Sequence, residues 1–256
     1  MSKRRRFILT SAVLSLGFVG IASLENQFRF IGIGVLGLLT LILYYWSLRE
    51  GLGKNSTLLT LVLPFYFTVS VGLFWFLLPA SILARVPIVI LYGLGIYTLC
   101  LTSNIYTVAA IRTIALLRAA RGVGFVLTLV TFFLVFDAIL SIKSPIYVTS
   151  ILVGVLSFPL YFQGLWSVML QKSVSREVLT HAIVASVAMS QIALSLFFWP
   201  VTVVVGSLFF TVACYIMLGL GQAKLEGRLF NQTLREYVIL GLLVFVGMFF
   251  ATRWGA

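Results

Sequence analysis

Residues 123–142 read VGFVLTLVTFFLVFDAILSI, a run of twenty residues whose one charged side chain is Asp137. A helix needs about 20 apolar residues to cross the hydrocarbon core of a bilayer. A second and longer apolar run, 146–170, is separated from the first by three residues. Runs of this length indicate membrane-spanning helices, because the strands of a membrane barrel are shorter and alternate in polarity.

The rest of the chain consists of runs of the same kind. Seven more have the length and composition of spans, at 7–24, 30–46, 58–81, 86–101, 179–198, 201–220 and 237–252. The sequence therefore predicts an all-α membrane protein, a bundle of about nine transmembrane helices in a single integral membrane domain over 1–256. No polar stretch is long enough to form a soluble domain.

The first run follows the basic residues Lys3 to Arg6, as the apolar part of a signal peptide would. We expect this run to be retained as a helix rather than cleaved. It is long for a signal peptide, and further spans follow at once.

The composition excludes several classes of protein. The chain is 61% hydrophobic and 9% charged, whereas an ordinary soluble domain is roughly 25% charged. This excludes a soluble globular protein, a disordered chain and a disulfide-bonded scaffold. Cys100 and Cys214 both fall in apolar runs, which predicts buried thiols rather than a disulfide or a metal site.

The net charge of +12 comes from basic residues that stand singly or in small groups between the apolar runs. This pattern predicts contact with the lipid bilayer and with anionic lipid, and argues against nucleic-acid binding. If the N-terminus is cytoplasmic and nine spans alternate, four of the 18 Lys and Arg residues lie outside: Arg29, Arg85, Lys143 and Arg253. The excess of Lys and Arg on the cytoplasmic side follows the positive-inside rule, and nine spans then predict a C-terminus outside.

A candidate polar site within the membrane involves spans five to seven. Asp137 is the one acid inside an apolar run, and such a residue indicates function by default. Gln163 lies near Pro159 in span six, and Ser190 and Gln191 lie in span seven. The alternatives are structural: Asp137 near the outer end of its span pairs with Lys143 or Arg85 or is wetted, and span seven packs through small residues four apart.

Two cytoplasmic segments are candidates for binding. Segment 103–122 carries Arg112, Arg118 and Arg121, which predicts either an interfacial helix on anionic lipid or a mere helix extension. Segment 221–236 is the longest polar stretch and either docks a membrane or cytoplasmic protein partner or forms a short surface helix. Its charged residues are Lys224, Glu226, Arg228, Arg235 and Glu236.

The residue sets of common membrane enzymes are missing from the sequence. There is no His-Glu-x-x-His zinc helix, no Gly-x-Ser-x-Gly nucleophile motif and no pair of aspartates in the apolar runs. The sequence has one histidine and six carboxylates, so few side chains are present that could act in acid–base catalysis. We therefore expect a protein that is not an enzyme and that has no cofactor and no metal site.

Three segments of the C-terminal half are distinctive: SNIYTVAAIRTIALLRAARGVGF, FFWPVTVVVGSLF and LGLGQAKLEGRLFNQTLREY. Over roughly 104–254 the chain resembles a family of uncharacterised bacterial polytopic membrane proteins. The resemblance implies a location in the bacterial cytoplasmic (inner) membrane, and it implies no catalytic or binding residues.

Two classes of function remain open at this point. The first is a non-enzymatic membrane component or a subunit of an envelope assembly, in which the two cytoplasmic segments matter and Asp137→Asn is silent. The alternative is a transporter for a small solute or lipid, in which Asp137, Gln163, Ser190 and Gln191 converge on one cavity. The membrane-component hypothesis is preferred, because ion-coupled transport usually uses more ionisable residues within the membrane than the single Asp137.

Overall fold

The computed structural model describes residues 2–22, 24, 26–52, 56–78, 82–110, 115–171 and 173–252. Within these ranges every regular element is a helix, and no strand is present. The predicted all-α fold class is therefore confirmed. The helices are α1 (Lys3–Ala22), α2 (Asn26–Leu48), a 3-10 helix (Ser56–Leu61), α3 (Val62–Leu77), α4 (Ile82–Ala109), α5 (Leu117–Ser141), α6 (Ile146–Met169), α7 (Arg176–Leu196), α8 (Val203–Leu225) and α9 (Asn231–Ala251).

Eight of the helices in the described part of the chain are long and apolar enough to cross a membrane, from Phe28–Leu48 to Asn231–Ala251. The chain is therefore a multi-pass membrane protein. The remaining helix, α1, begins with the basic residues Lys3 to Arg6. Its apolar part is about 24 Å long, somewhat short of the ~30 Å hydrocarbon core. It nevertheless belongs to the packed fold, because Phe7, Leu14 and Phe18 are buried.

Several helices extend beyond the apolar runs that predicted them. α4 continues to Ala109, past the predicted end at residue 101, and α9 begins at Asn231 rather than at 237. Hydropathy marks the part of a helix that lies in hydrocarbon, whereas the helix itself continues until its backbone hydrogen bonds end. The segments between the predicted spans are correspondingly short.

The chain divides into two compact units. Unit 1 comprises Met1–Leu127 and Leu170–Ser173, and unit 2 comprises Thr128–Met169 and Val174–Ala256. In unit 1, α1 packs on α2 and α4, and α3 also packs on both α2 and α4. In unit 2, α6 and α7 form the closest pair, α8 packs on both of them, and α9 packs on α8.

Unit 1 is held by aromatic packing and by hydroxyl groups that satisfy one another. The ring of Phe18 lies 5.0 Å from the rings of both Trp75 and Tyr92. The hydroxyls of Thr40, Thr68 and Tyr92 form a chain with spacings of 3.1 Å. Because no water competes for these groups in hydrocarbon, mutual hydrogen bonding is what allows them to be buried.

Candidate functional site

Asp137 is buried in unit 2, with 5% of its surface exposed. The hydroxyl of Ser207 on α8 lies 3.5 Å from its Oδ1, while that hydroxyl also donates to the carbonyl of Val203 at 2.8 Å. Among the described residues Ser207 is its one hydrogen-bond partner, so the pairing with Lys143 is not formed. The carboxyl group therefore joins α5 to α8 by a single long contact.

Ser190 lies at the interface of α6 and α7. Its hydroxyl donates to the carbonyl of Ser150 at 2.7 Å, and the hydroxyl of Ser150 donates to the carbonyl of Ser190 at 2.8 Å. Gly154 lies under this pair, because a Cβ added there would come within 2.2 Å of the Ser190 hydroxyl oxygen. Gln191, the next residue on α7, is exposed, since successive residues of a helix point about 100° apart.

Gln163 is buried in α6 with 3% of its surface exposed, and within the described chain its Oε1 accepts no hydrogen bond. The adjacent carbonyl of Gly164 accepts a hydrogen bond from Nε2 of Gln222 on α8 at 3.0 Å. This pairing connects α6 with the C-terminal part of α8, whereas Asp137 contacts the N-terminal part of α8 through Ser207.

The four predicted polar residues do not converge on one site. Gln163 is thirteen positions after Ser150 on α6, which places it about 20 Å along the helix axis from the Ser150–Ser190 pair. Gln222 and Ser207 are fifteen positions apart on α8, a separation of about 22 Å. Asp137 and Ser190 therefore lie toward one end of unit 2 and Gln163 toward the other.

A cavity that sequence reasoning missed lies beyond Asp137 and Ser190, at the end of unit 2. Its volume is about 200 Å³, and its polar lining comes from Lys143, Thr149 and Thr202. Leu140 and Ala193 contribute apolar walls, and each is one turn along its helix from Asp137 or Ser190. The signals in the sequence are Lys143, a cation between spans five and six, and Thr202, a threonine at the start of span eight.

The predicted lipid-binding segment is divided between two helices. Residues 103–109 complete α4, and α5 begins at Leu117. Arg118 is exposed and Arg121 is half-buried in the first turns of α5, three positions apart and so on neighbouring parts of one face. Arg112 lies outside the described residues. The described part of 103–122 thus extends the spans on either side.

The predicted partner segment 221–236 is likewise shared between helices. It contains the last turn of α8 with Lys224, a tight turn, and the first turns of α9 with Arg235 and Glu236. Arg228 pairs with Glu226 at 3.3 Å across the turn, where Gly227 has a φ of 68°. Both α9 residues are exposed, and Gln232 donates to the carboxylate of Glu236 at 3.1 Å.

A cluster of ion pairs lies in unit 1, between the start of α1 and the end of α2. Arg6 of α1 is 5% exposed and donates to the carboxylate of Glu50, just after α2. Lys3 Nζ lies 3.2 Å from the same carboxylate. Hydrogen bonds from Arg6 and then from Lys3 lower the pKa of Glu50 below its ordinary value of 4.5. One turn further in, the hydroxyls of Thr10 and Ser47 are 2.7 Å apart.

The residues within the described ranges offer no group of three or more His, Cys, Asp or Glu side chains that could hold a metal ion. The thiols of Cys100 and Cys214 form no disulfide and are buried. The buried polar side chains of unit 2 therefore include hydroxyl, amide and thiol groups and the carboxyl group of Asp137.

Comparison with known protein families gives a match over almost the whole chain. The model of a family described as "Protein of unknown function (DUF5656)" matches residues 9–251. The chain belongs to this family. No curated protein and no solved structure matches the chain. The DUF5656 match includes both units, and so extends well beyond the C-terminal part that the sequence segments indicated.

Proposed function

We propose that this DUF5656 member is a non-enzymatic component of the bacterial cytoplasmic membrane that assembles with another membrane polypeptide through α9. The observation that carries the proposal is the burial of α9. Only 6% of its span is buried, against 28% for α7 and 56% for α6. Met248 is the one buried residue of α9.

The contacts of α9 lie on one side. Tyr237 packs where Gly219 of α8 leaves room, and its ring lies 5.3 Å from that of Tyr215. Further along, the ring of Phe245 lies 5.5 Å from that of Trp199. These aromatic contacts hold α9 against α8 and the turn before α8, and they leave Leu242, Leu243 and Val246 exposed.

The free side of α9 has room for a second helix to approach closely. A Cβ added at Gly247 would meet no atom within 4 Å. Between helices in lipid there is no hydrophobic driving force, so association depends on close packing, and small residues favour it. Glycine inside a helix costs about 1 kcal/mol relative to alanine, and an assembly contact at Gly247 supplies a reason for it.

The alternative, a transporter built on the polar cluster of spans five to seven, requires those groups to share a cavity. Ser190 is engaged with Ser150, Gln191 is exposed, and Gln163 is about 20 Å from Ser190 along the helix direction. Hydrogen bonds between polar side chains of neighbouring helices stabilise the packing of a helix bundle and require no transport function. These placements support the assembly role over transport.

Native mass spectrometry of the protein released gently from its own membranes tests the proposal. The wild-type chain is expected to carry the mass of another polypeptide. Gly247→Phe fills the free side of α9 and is expected to lose that mass. Gly34→Phe is the matched control, because Gly34 of α2 is also open, with no atom within 4 Å of an added Cβ.

The control variant is expected to keep the added mass. A wild-type chain that carries no other polypeptide would overturn the proposal, and so would equal loss in both variants. A mass of exactly two identical chains would replace the heterologous partner with a second copy and would contradict the proposal in that respect.

A further inference from the structure

The cavity in unit 2 lies where α5 and α7 end and where α6 and α8 begin. Its volume of about 200 Å³ far exceeds the ~10–15 Å³ that one water needs by the same kind of measure. Leu196, Phe197 and Phe210 form apolar walls, and among the residues that the structure describes Lys143 is the one charged residue that lines the cavity. A cavity with apolar walls and a single cation suits an anionic group attached to carbon.

Lys143 occupies a backbone conformation that glycine or asparagine would adopt at lower cost. Its φ is 51°, in the left-handed region, within the short turn between α5 and α6. Its side chain is exposed, and among the described residues it forms no ion pair. A lysine in this strained conformation points to a use for its charge at the cavity.

The helix ends around the cavity are of both kinds: the N-termini of α6 and α8 favour anions, and the C-termini of α5 and α7 favour cations, so the net positive charge at the cavity comes from Lys143. The first N–H groups of α6 and α8 have no partner within their own helices, and this end of a helix favours anions. The carbonyls at the ends of α5 and α7 are partly taken up by turns: Lys143 N–H donates to Leu140 at 3.2 Å, and Trp199 N–H donates to Leu196 at 3.0 Å.

Two hydroxyls add polar atoms to the lining. Thr202 lies at the start of α8, where its side chain accepts from Val205 N–H at 3.4 Å. Thr149 is 6% exposed and its hydroxyl donates to the carbonyl of Ser144 at 3.2 Å. Asp137 is one turn deeper than Leu140 on α5 and is not among the residues that line the cavity.

The position of the cavity at the ends of membrane helices decides the source of the anion. Trp199 lines it, and tryptophan favours the depth at which lipid headgroups lie. The geometry points to a site for the phosphate group of an amphiphilic molecule, with the phosphate on Lys143 and the carbon chain along Phe197 and Trp199. The proposal of this ligand does not rest on assembly through α9, although Trp199 also contacts Phe245 of that helix.

Lipid titration of the purified full chain, followed by native mass spectrometry, tests the site. The probes are phosphatidylglycerol, a diacylglycerol glycolipid without phosphate, and inorganic phosphate. Phosphatidylglycerol is expected to bind most tightly, at one site. Lys143→Gln is expected to weaken that site roughly tenfold or more, because a hydrogen bond to a charged group is lost. Lys224→Gln, an exposed lysine at the other end of α8, is the matched control.

Equal weakening by the two lysine variants, or no weakening by either, would overturn the site. Equally tight binding of the glycolipid would overturn it as well. Inorganic phosphate that binds as tightly as the lipid and depends equally on Lys143 would support the anion site and assign it to a soluble ligand instead.

Ala193→Phe provides a steric test, because Ala193 lines the cavity and is 3% exposed. The variant is expected to lose phosphatidylglycerol while its thermal unfolding shows a folded chain. Undiminished binding by a folded variant would contradict the assignment. If this variant does not fold, the Lys143 comparison decides the question.

Discussion

Ser150 and Ser190 join α6 to α7 by exchanging hydrogen bonds, each hydroxyl donating to the main-chain carbonyl of the other residue, at 2.8 and 2.7 Å. The exchange satisfies both hydroxyls inside the bundle without water. It also brings the two helices so close that position 154 has no room for a side chain. Ser190, which the sequence made a candidate for the polar site, is thus part of the packing between α6 and α7, the structural alternative for span seven.

Gly154→Ala is expected to lower the free energy of unfolding by about 1–3 kcal/mol, as overpacking does. The added Cβ would lie 2.2 Å from Ser190 Oγ. Removing that oxygen in Gly154→Ala/Ser190→Ala is expected to restore part of the loss. Denaturation of the purified protein in micelles measures both, with Gly247→Ala as a control that loses no stability. An equal loss in the control would contradict the packing explanation.

Asp137→Asn is expected to leave thermal stability and partner binding unchanged. The asparagine side-chain oxygen can accept from Ser207 as the carboxylate does. Thermal unfolding and native mass spectrometry of the variant check this expectation. Loss of the partner mass in Asp137→Asn, with folding intact, would show that the acid itself takes part in assembly and would contradict this expectation. Loss of a stoichiometrically bound lipid or small molecule would instead favour the transport alternative.

Acid is expected to weaken the contact between α1 and the end of α2. The pKa of Glu50 is lowered in the folded chain by its hydrogen bonds to Arg6 and Lys3. The stabilisation is therefore complete above the ordinary pKa of 4.5 and is lost as the pH falls through the lower folded value. Thermal unfolding measured against pH reports this loss of stability. Glu50→Gln should abolish the pH dependence, whereas Glu236→Gln should leave it unchanged. A profile that Glu50→Gln leaves unchanged would exclude this carboxylate as the cause.

Gly227→Ala is expected to destabilise the turn between α8 and α9 by about 1 kcal/mol. The φ of Gly227 is 68°, and no atom lies within 4 Å of an added Cβ, so the cost comes from backbone conformation alone. Gly227→Asn should cost less, because asparagine visits this region more readily. Thermal unfolding of the two variants checks the order, and an alanine variant as stable as wild type would refute it.

The helices could be predicted from the sequence because an apolar run of about 20 residues has few other uses. Their ends could not, since the polar residues that complete α4 and begin α9 are helical outside the apolar runs. The family resemblance pointed to the C-terminal part, whereas the matching family model covers 9–251.

The site was harder to predict because these helices are apolar on nearly every side. Ser190 and Gln191 are adjacent in sequence, yet the first faces α6 and the second is exposed. Asp137 and Ser207 are seventy positions apart, and hydropathy contains no information on which helices become neighbours. Nor does it reveal the cavity beside Lys143, which depends on how four helix ends meet.

Photo-crosslinking from α9 in native membranes tests the central claim most directly. A photoreactive amino acid replaces Leu243 of α9 in one variant and Ile151 of α6 in another, positions that are 65% and 61% exposed. Assembly through α9 predicts a discrete adduct with one other membrane polypeptide from position 243 and none from position 151. Adducts with lipid alone at both positions, or the same protein adduct from both, would contradict it.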